Sequence, residues 1–257
     1  MSGLAAFDTA LMSGIRQIET AVLVCPTGAI TGDGDARVIV TADGMTGSPI
    51  TEDVALLSGD TTIEAAEKIR TALGLVANIV AYFDVGGAGV NIVLERLAPA
   101  ANDATMNINI DNQTCTGITG DATSNDTLAG AALAEVANVT NISGPPLSTD
   151  VEDATAHDSP SAFEEVVATI KRTGEMKLEI NYEPGDATHD ATTGLIYKYE
   201  NQIFADYEIR FPDVGKTQFD FRAYITSFEP GIPHEGKLSA SVGMKISGVP
   251  DLADVWV

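Results

Sequence analysis

The sequence predicts a mainly β protein that carries one small α/β module, and three observations predict it. Three segments of the second half alternate apolar and polar residues with period two, the pattern of strands with one face in a core. One segment of the first half repeats its apolar residues with helical spacing and has a signal at each end. The texture also changes near the middle of the chain: residues 15–130 are rich in Ala, Gly and Thr with Tyr82 and Phe83 as their only aromatics, whereas 132–257 holds most of the Phe, Tyr and Pro. Such a shift marks a domain boundary. The predicted division is an N-terminal arm 1–14, a module 15–130 and a β core 131–257.

Within the module, ARVIVT (36–41) and ITEDVALL (50–57) read as strands. The following GDTTIEAAEKIRTALG is the clearest helix of the chain. Thr61 and Glu64 have capping-box spacing, in which each side chain satisfies a backbone donor left free by the first turn. Ile63, Ala66, Ile69 and Leu73 follow at helical intervals, and Gly74 suits a left-handed stop. IVAYFDV (79–85) and VNIVLERL (90–97) flank Gly86, Gly87 and Gly89 as the arms of a hairpin, and MNINI (106–110) reads as a last strand. The Gly, Asp, Ser and Thr of 117–131 read as a linker.

In the core, Met176, Leu178, Ile180 and Tyr182 alternate with Glu175, Lys177, Glu179 and Asn181. Phe219, Phe221, Ala223 and Ile225 oppose Asp220, Arg222, Tyr224 and Thr226; Leu238, Ala240, Val242, Met244 and Ile246 oppose Lys237, Ser239, Ser241, Gly243 and Lys245. A short helix is predicted around 193–202. The stretch 148–175 reads as a charged, loop-like segment that carries Phe163, Val166, Val167 and Ile170.

Charge narrows the function. The 257 residues include 37 Asp and Glu against 14 Lys and Arg, a formal charge of −23. Residues 1–131 contribute 16 acids and 5 bases, residues 132–257 contribute 21 and 9, so the acidity is spread over the chain. Ordinary nucleic-acid binding needs a basic footprint and is excluded. No apolar run is long enough to span a bilayer, and MSGLAAFDTALMSG lacks the basic start and apolar core of a secretory signal, which predicts synthesis in a cytosol.

Catalytic constellations are missing. Cys25 and Cys115 lie far along the chain from His157, His189 and His234, so neither thiol has an evident base. VGGAGVN has the wrong spacing for a phosphate loop and is followed by a strand, so it reads as a turn. GDGDA (32–36) lacks the ligand series of a calcium loop. His157–Asp158 and His189–Asp190 have no second ligand at metal spacing and read as loop-stabilising residues. No enzyme, cofactor or metal site is predicted.

The segment from Val136 onward resembles the tail tube protein family of long-tailed phages with flexible tails. The resemblance rests on Ser143-Gly144-Pro145, on Thr155-Ala156-His157-Asp158-Ser159-Pro160, on Gly174-Glu175 opening a strand and on Asn181-Tyr182-Glu183-Pro184 closing it. FPDVGKTQFDFRAYITSFEP and GKLSASVGMKISGVP match the family's long hairpin and closing strand, and GLAAFDTAL resembles its N-terminal arm. Residues 15–130 interrupt that pattern. They resemble a small module inserted in various phage structural proteins, through Gly44 to Pro49, Gly59 to Thr61, Lys68 to Arg70 and Ala101 to Thr105.

The resemblance implies a β-sandwich or barrel subunit in hexameric rings, stacked into a virion tail tube that conducts DNA. It also implies tail tip, tape-measure and terminator proteins as partners. Strands polar on one face can pair across subunits into a closed barrel. An acidic lumen repels a duplex carrying one charge per about 1.7 Å. On this reading Glu175, Glu179 and Asp220 are lumen candidates, Phe163, Val166, Val167 and Ile170 are inter-subunit contacts, and the module faces outward. The competing reading is a carbohydrate- or surface-binding β module with an accessory domain.

Overall fold

The computed structural model describes residues 8–119, 122–155 and 164–255. The protein is mainly β, with 49% strand and 9% helix. It divides into two compact units: Gly14–Ala132, and Met1–Ser13 with Leu133–Val257.

The chain enters through β1 (Ala10–Ile15) and builds the first unit from β2 (Ile18–Val22), β3 (Gly34–Thr41), β4 (Ile50–Leu56), α1 (Thr62–Leu73), α2 (Ala77–Val80), β5 (Phe83–Gly86), β6 (Asn91–Arg96), β7 (Asn107–Asn112), β8 (Ala122–Thr123) and β9 (Asn125–Leu128). These strands form two sheets, β5-β6-β2-β9 and β4-β3-β7-β8. Ala21, Leu23, Val38, Val40, Ile92, Leu94, Ile108 and Ile110 meet in one core, which α1 closes with Ala65, Ala66, Ile69 and Leu73.

The capping box is present: the Thr61 hydroxyl accepts from Glu64 N–H at 3.3 Å, and Thr61 N–H donates to Glu64 Oε2 at 2.9 Å. Two details of the helix differ from the prediction. Ile63 is exposed and Ala65 takes its place in the stripe, because the axis rotates to bring the small Ala65–Ala66 pair against the core. Gly74 keeps right-handed geometry, φ −65°, with its N–H donating to Arg70 O. Residues 77–80 form a helical turn where the hairpin arm was expected to begin, so β5 starts only at Phe83. Gly87 in the following turn has φ 114°, and a Cβ there would lie 2.3 Å from Asn91 O, so the turn requires glycine. Among the described residues of the expected linker 117–131, β8 extends one sheet on β7 and β9 extends the other on β2.

The second unit adds β10 (Ala131–Glu135), β11 (Val139–Ser143), β12 (Leu147–Asp153), β13 (Val166–Thr173), β14 (Glu175–Asn181), α3 (Leu195–Glu200), β15 (Ala205–Arg210), β16 (Thr217–Gly231), β17 (Ser239–Ile246) and β18 (Asp251–Val255). An eight-stranded sheet runs β10-β1-β15-β16-β17-β14-β11, with β18 on β16. The three alternating segments are its central strands. Met176, Leu178 and Ile180 of β14 are buried with Ala240, Val242 and Met244 of β17 and Phe221, Ala223 and Ile225 of β16. The predicted short helix is α3. The stretch 148–175, expected as a loop, instead contains an antiparallel ribbon of β12 and β13 separate from the main sheet.

Candidate assembly surfaces

Two surfaces of the second unit distinguish themselves. The first is the ribbon. In its register Val151 stands opposite Ala168, and Asp153 opposite Val166. Alternation therefore puts Val151, Val166 and Ala168 on one ribbon face, and the register shift between Thr149 and Val151 interrupts it before Ile170. Val151, Val166 and Ile170 are 58%, 53% and 57% exposed. Val167 lies on the opposite face, 55% exposed. The ribbon is held internally by backbone pairing and by Asp150, whose carboxylate accepts from Arg172 Nε at 2.6 Å. At its base Leu147, Arg172, Val249, Pro250 and Leu252 line a cavity of about 440 Å³. Phe163, the fourth predicted contact residue, lies outside the described residues, as does His157.

The second surface is the polar face of the main sheet. Register places Glu175 opposite Lys245, Lys177 opposite Gly243 and Glu179 opposite Ser241. It continues the face through Tyr224 beside Lys245, then Arg222 opposite Asp206 and Asp220 opposite Glu208. Glu175, Lys177, Glu179 and Lys245 are exposed, while Asp220 is half-buried. The three lumen candidates thus share one face, but they share it with cations. Glu175 accepts from the Thr226 hydroxyl at 3.0 Å, Lys245 Nζ donates to Thr173 O at 2.7 Å, and Asp220 accepts from Gln218 Nε2 at 2.7 Å. Arg210 pairs with Glu208 at 2.7 Å and Arg222 with Asp206 at 3.6 Å. The Arg222 guanidinium also lies 4.2 Å over the Phe204 ring, which stacks on Tyr224.

Side chains with potential chemistry are engaged in structure. His189 is fully buried; its Nδ1 accepts from Glu183 N–H at 3.2 Å and its Nε2 lies 2.8 Å from Ala137 O, so the ring ties two backbone segments together. Asp190 accepts from the N–H groups of Thr192, Thr193 and Gly194, which holds its carboxyl below the usual range. Burial of Cys115 pushes its thiol up, away from the reactive thiolate. The glycine turn is pinned by Arg70, which donates to Gly89 O and Asn91 O. Asp33 of GDGDA accepts from Ser58 N–H. Tyr82, an aromatic a sugar could stack on, donates to Asp43 O and carries Arg96 at 5.0 Å from its ring centre. Among the described residues no group of three or more His, Cys, Asp or Glu is arranged to hold a metal.

Compared with known proteins, residues 116–253 match the model of the lambda phage tail tube protein family. No curated protein matches the chain. Among solved structures, the chain is similar to a protein in the tail of an empty gene transfer agent particle (16% identity, TM-score 0.38, covering 48% of this chain and 87% of that one). It is similarly related to a chain of the native gene transfer agent virion (15%, 0.38, 48% and 89%) and to one of the anti-feeding prophage baseplate (10%, 0.38, 51% and 88%).

Proposed function

Because the chain belongs to the lambda phage tail tube protein family, matched over more than half its length, and is a structural protein of the virion tail, we propose that its subunits form hexameric rings that stack into a tube for DNA delivery. The observation that carries this reading is the β12–β13 ribbon. Val151, Val166, Val167 and Ile170 of this one ribbon are each more than half exposed, on a chain of charge −23. An apolar strip on so polar a protein calls for a covering surface, and a stacked copy of the same chain supplies one at every repeat. Val151 and Val166 are the contacts on one face of the strip and Val167 on the other, with Ile170 at the register shift and Phe163 in the connection between its strands. The cavity beside Leu147 and Val249 gives a partner side chain a place to lodge.

The polar sheet face, with Glu175, Glu179 and Asp220, is the proposed channel lining. The unit Gly14–Ala132 is proposed to face outward, since a folded body of this size does not fit within a narrow channel. Tail tip, tape-measure and terminator proteins are the proposed partners at and inside the tube. Negative-stain microscopy of the purified chain, with mass photometry across concentration and salt, tests the reading. Rings or tubes are expected; monomers under every condition overturn it.

A further inference from the structure

Strand β2 aims a carboxylate inward. Glu19 shares its strand face with Ala21 and Leu23, stands opposite Leu94, and is 2% exposed. Its two nearest acidic neighbours each accept from donors of their own. Asp126 on β9, directly opposite Glu19, accepts from Gln17 Nε2 at 2.6 Å and from Asn102 Nδ2 at 2.9 Å. Asp103, in the loop before β7, accepts from Asp43 N–H and from the N–H and hydroxyl of Thr105, which keeps its carboxyl below the usual range. The inward cation of β6, Arg96, is engaged by the Tyr82 hydroxyl and by Ala101 O. From β7 the facing group is the neutral Asn107.

Hydrogen counting around Ser124 favours the neutral form of Glu19, and the Asp126 carboxyl beside it acts in the same direction. The Ser124 hydroxyl oxygen lies 2.5 Å from Glu19 Oε1 and 3.0 Å from Asn107 Oδ1, and it accepts Ile108 N–H at 2.7 Å. One hydroxyl hydrogen serves only one of those two oxygens. If Glu19 is neutral, its proton goes to Ser124, the Ser124 proton goes to Asn107, and both contacts are satisfied. If Glu19 is ionised, one contact becomes lone pair against lone pair. Its buried Oε2, which has no donor, then carries charge beside Asp126. Burial raises this carboxyl from 4.5 to about 7, in agreement with the geometry.

We propose that Glu19 is the catch of a proton-operated clasp: neutral, it seats Asn125–Leu128 on β2, and ionised, it releases that strand. The strand is suited to release. It is the edge of its sheet, pairs only with β2, and does so through three residue pairs with a register shift. It is also the last strand of the unit before the chain continues into β10, so the clasp governs how tightly the exit from Gly14–Ala132 is held.

The sign follows from linkage. The closed form holds the proton more tightly than the open form, so opening is favoured as pH rises and levels off once closed Glu19 is itself ionised. With 4.5 for the open carboxyl and about 7 for the closed one, the opening constant rises roughly thirtyfold between pH 5.5 and 8.5. Hydrogen–deuterium exchange on the full chain, corrected for intrinsic rates, reads this on peptides spanning 117–131. The expected result is that rise in the wild type, none in peptides of β3, and a pH-independent, protected segment in Glu19→Gln. An equal pH response in Glu19→Gln overturns the proposal. Should that variant fail to fold, carboxyl-carbon NMR of the wild type decides: a Glu19 midpoint near 7 supports the clasp, and one near 4.5 refutes it.

Discussion

Ile170→Asp is the sharpest perturbation of the proposed assembly. Burying a whole Val or Ile side chain yields about 1.5–3 kcal/mol. Ile170 is 57% exposed in the single chain, so roughly half of that gain, about 1 kcal/mol, remains to be realised at a contact. Aspartate forfeits it and adds the desolvation of a carboxylate, at least another ~1 kcal/mol in a partly covered site. A total of about 2 kcal/mol per contact raises the concentration needed for polymerisation roughly thirtyfold. The single chain is affected little, because the side chain is exposed there before and after the change; its melting should shift by no more than a surface substitution causes, about 0.5 kcal/mol. Pelleting and light scattering against concentration measure the first quantity, and circular dichroism melts the second. Ile170→Val serves as a mild control. Polymerisation of Ile170→Asp at the wild-type threshold would refute the ribbon as a contact. Loss of the fold would show that Ile170 is needed within the subunit.

The double change Glu175→Lys with Glu179→Lys should leave tubes intact but make them retain DNA at low salt and slow genome ejection; wild-type retention and ejection would remove these strands from the channel or make their acids dispensable. Replacing residues 17–129 by a short Gly-Ser linker should yield a chain that still forms rings, read by microscopy; an insoluble or ring-less product would make the unit part of the assembly core. Thr61→Ala removes the hydroxyl that accepts Glu64 N–H and should destabilise the unit Gly14–Ala132 by about 1 kcal/mol in a denaturant titration, with assembly unchanged.

What could be read in the sequence is what one buried face dictates. The strands at 175–182, 216–226 and 237–246 alternate because the sheet has a core on one side, and α1 was legible because its cap is a local contact between Thr61 and Glu64. The ribbon was not legible as strands, and the reason is the same rule in reverse. VVATIKRT is exposed on both faces until Thr173, so nothing forces its residues to alternate. Its apolar members were visible, but Val151 joins them only through its pairing with Ala168. The segment 117–131 misled for a related reason: β8 and β9 are sheet edges held by backbone pairing, and their polar residues look like a linker. Glu19 was passed over because only the pairing of β2 with β9 shows that a charged residue type is aimed inward.

The charge of the chain and the charge of its sheet face are separate quantities, and the difference bears on the channel. The polar face sets Glu175, Glu179, Asp206, Glu208, Asp220, Glu229 and Asp251 against Lys177, Arg210, Arg222 and Lys245. Several of these are neighbours of opposite sign: Glu175 faces Lys245 across a strand, and Glu208 and Arg210 touch. Paired charges cancel within a few ångströms, while an excess of one sign is felt over a screening length of about 8 Å at physiological salt. A wall of this composition would therefore present a duplex with weak net repulsion and no patch of cations wide enough to grip several phosphates. Most of the −23 lies on other surfaces, where it keeps the subunit soluble. If this face lines the channel, DNA slides because attraction has been cancelled locally more than because repulsion is strong. Ejection should then depend only shallowly on ionic strength, whereas a lining governed by net acidity would make it depend steeply.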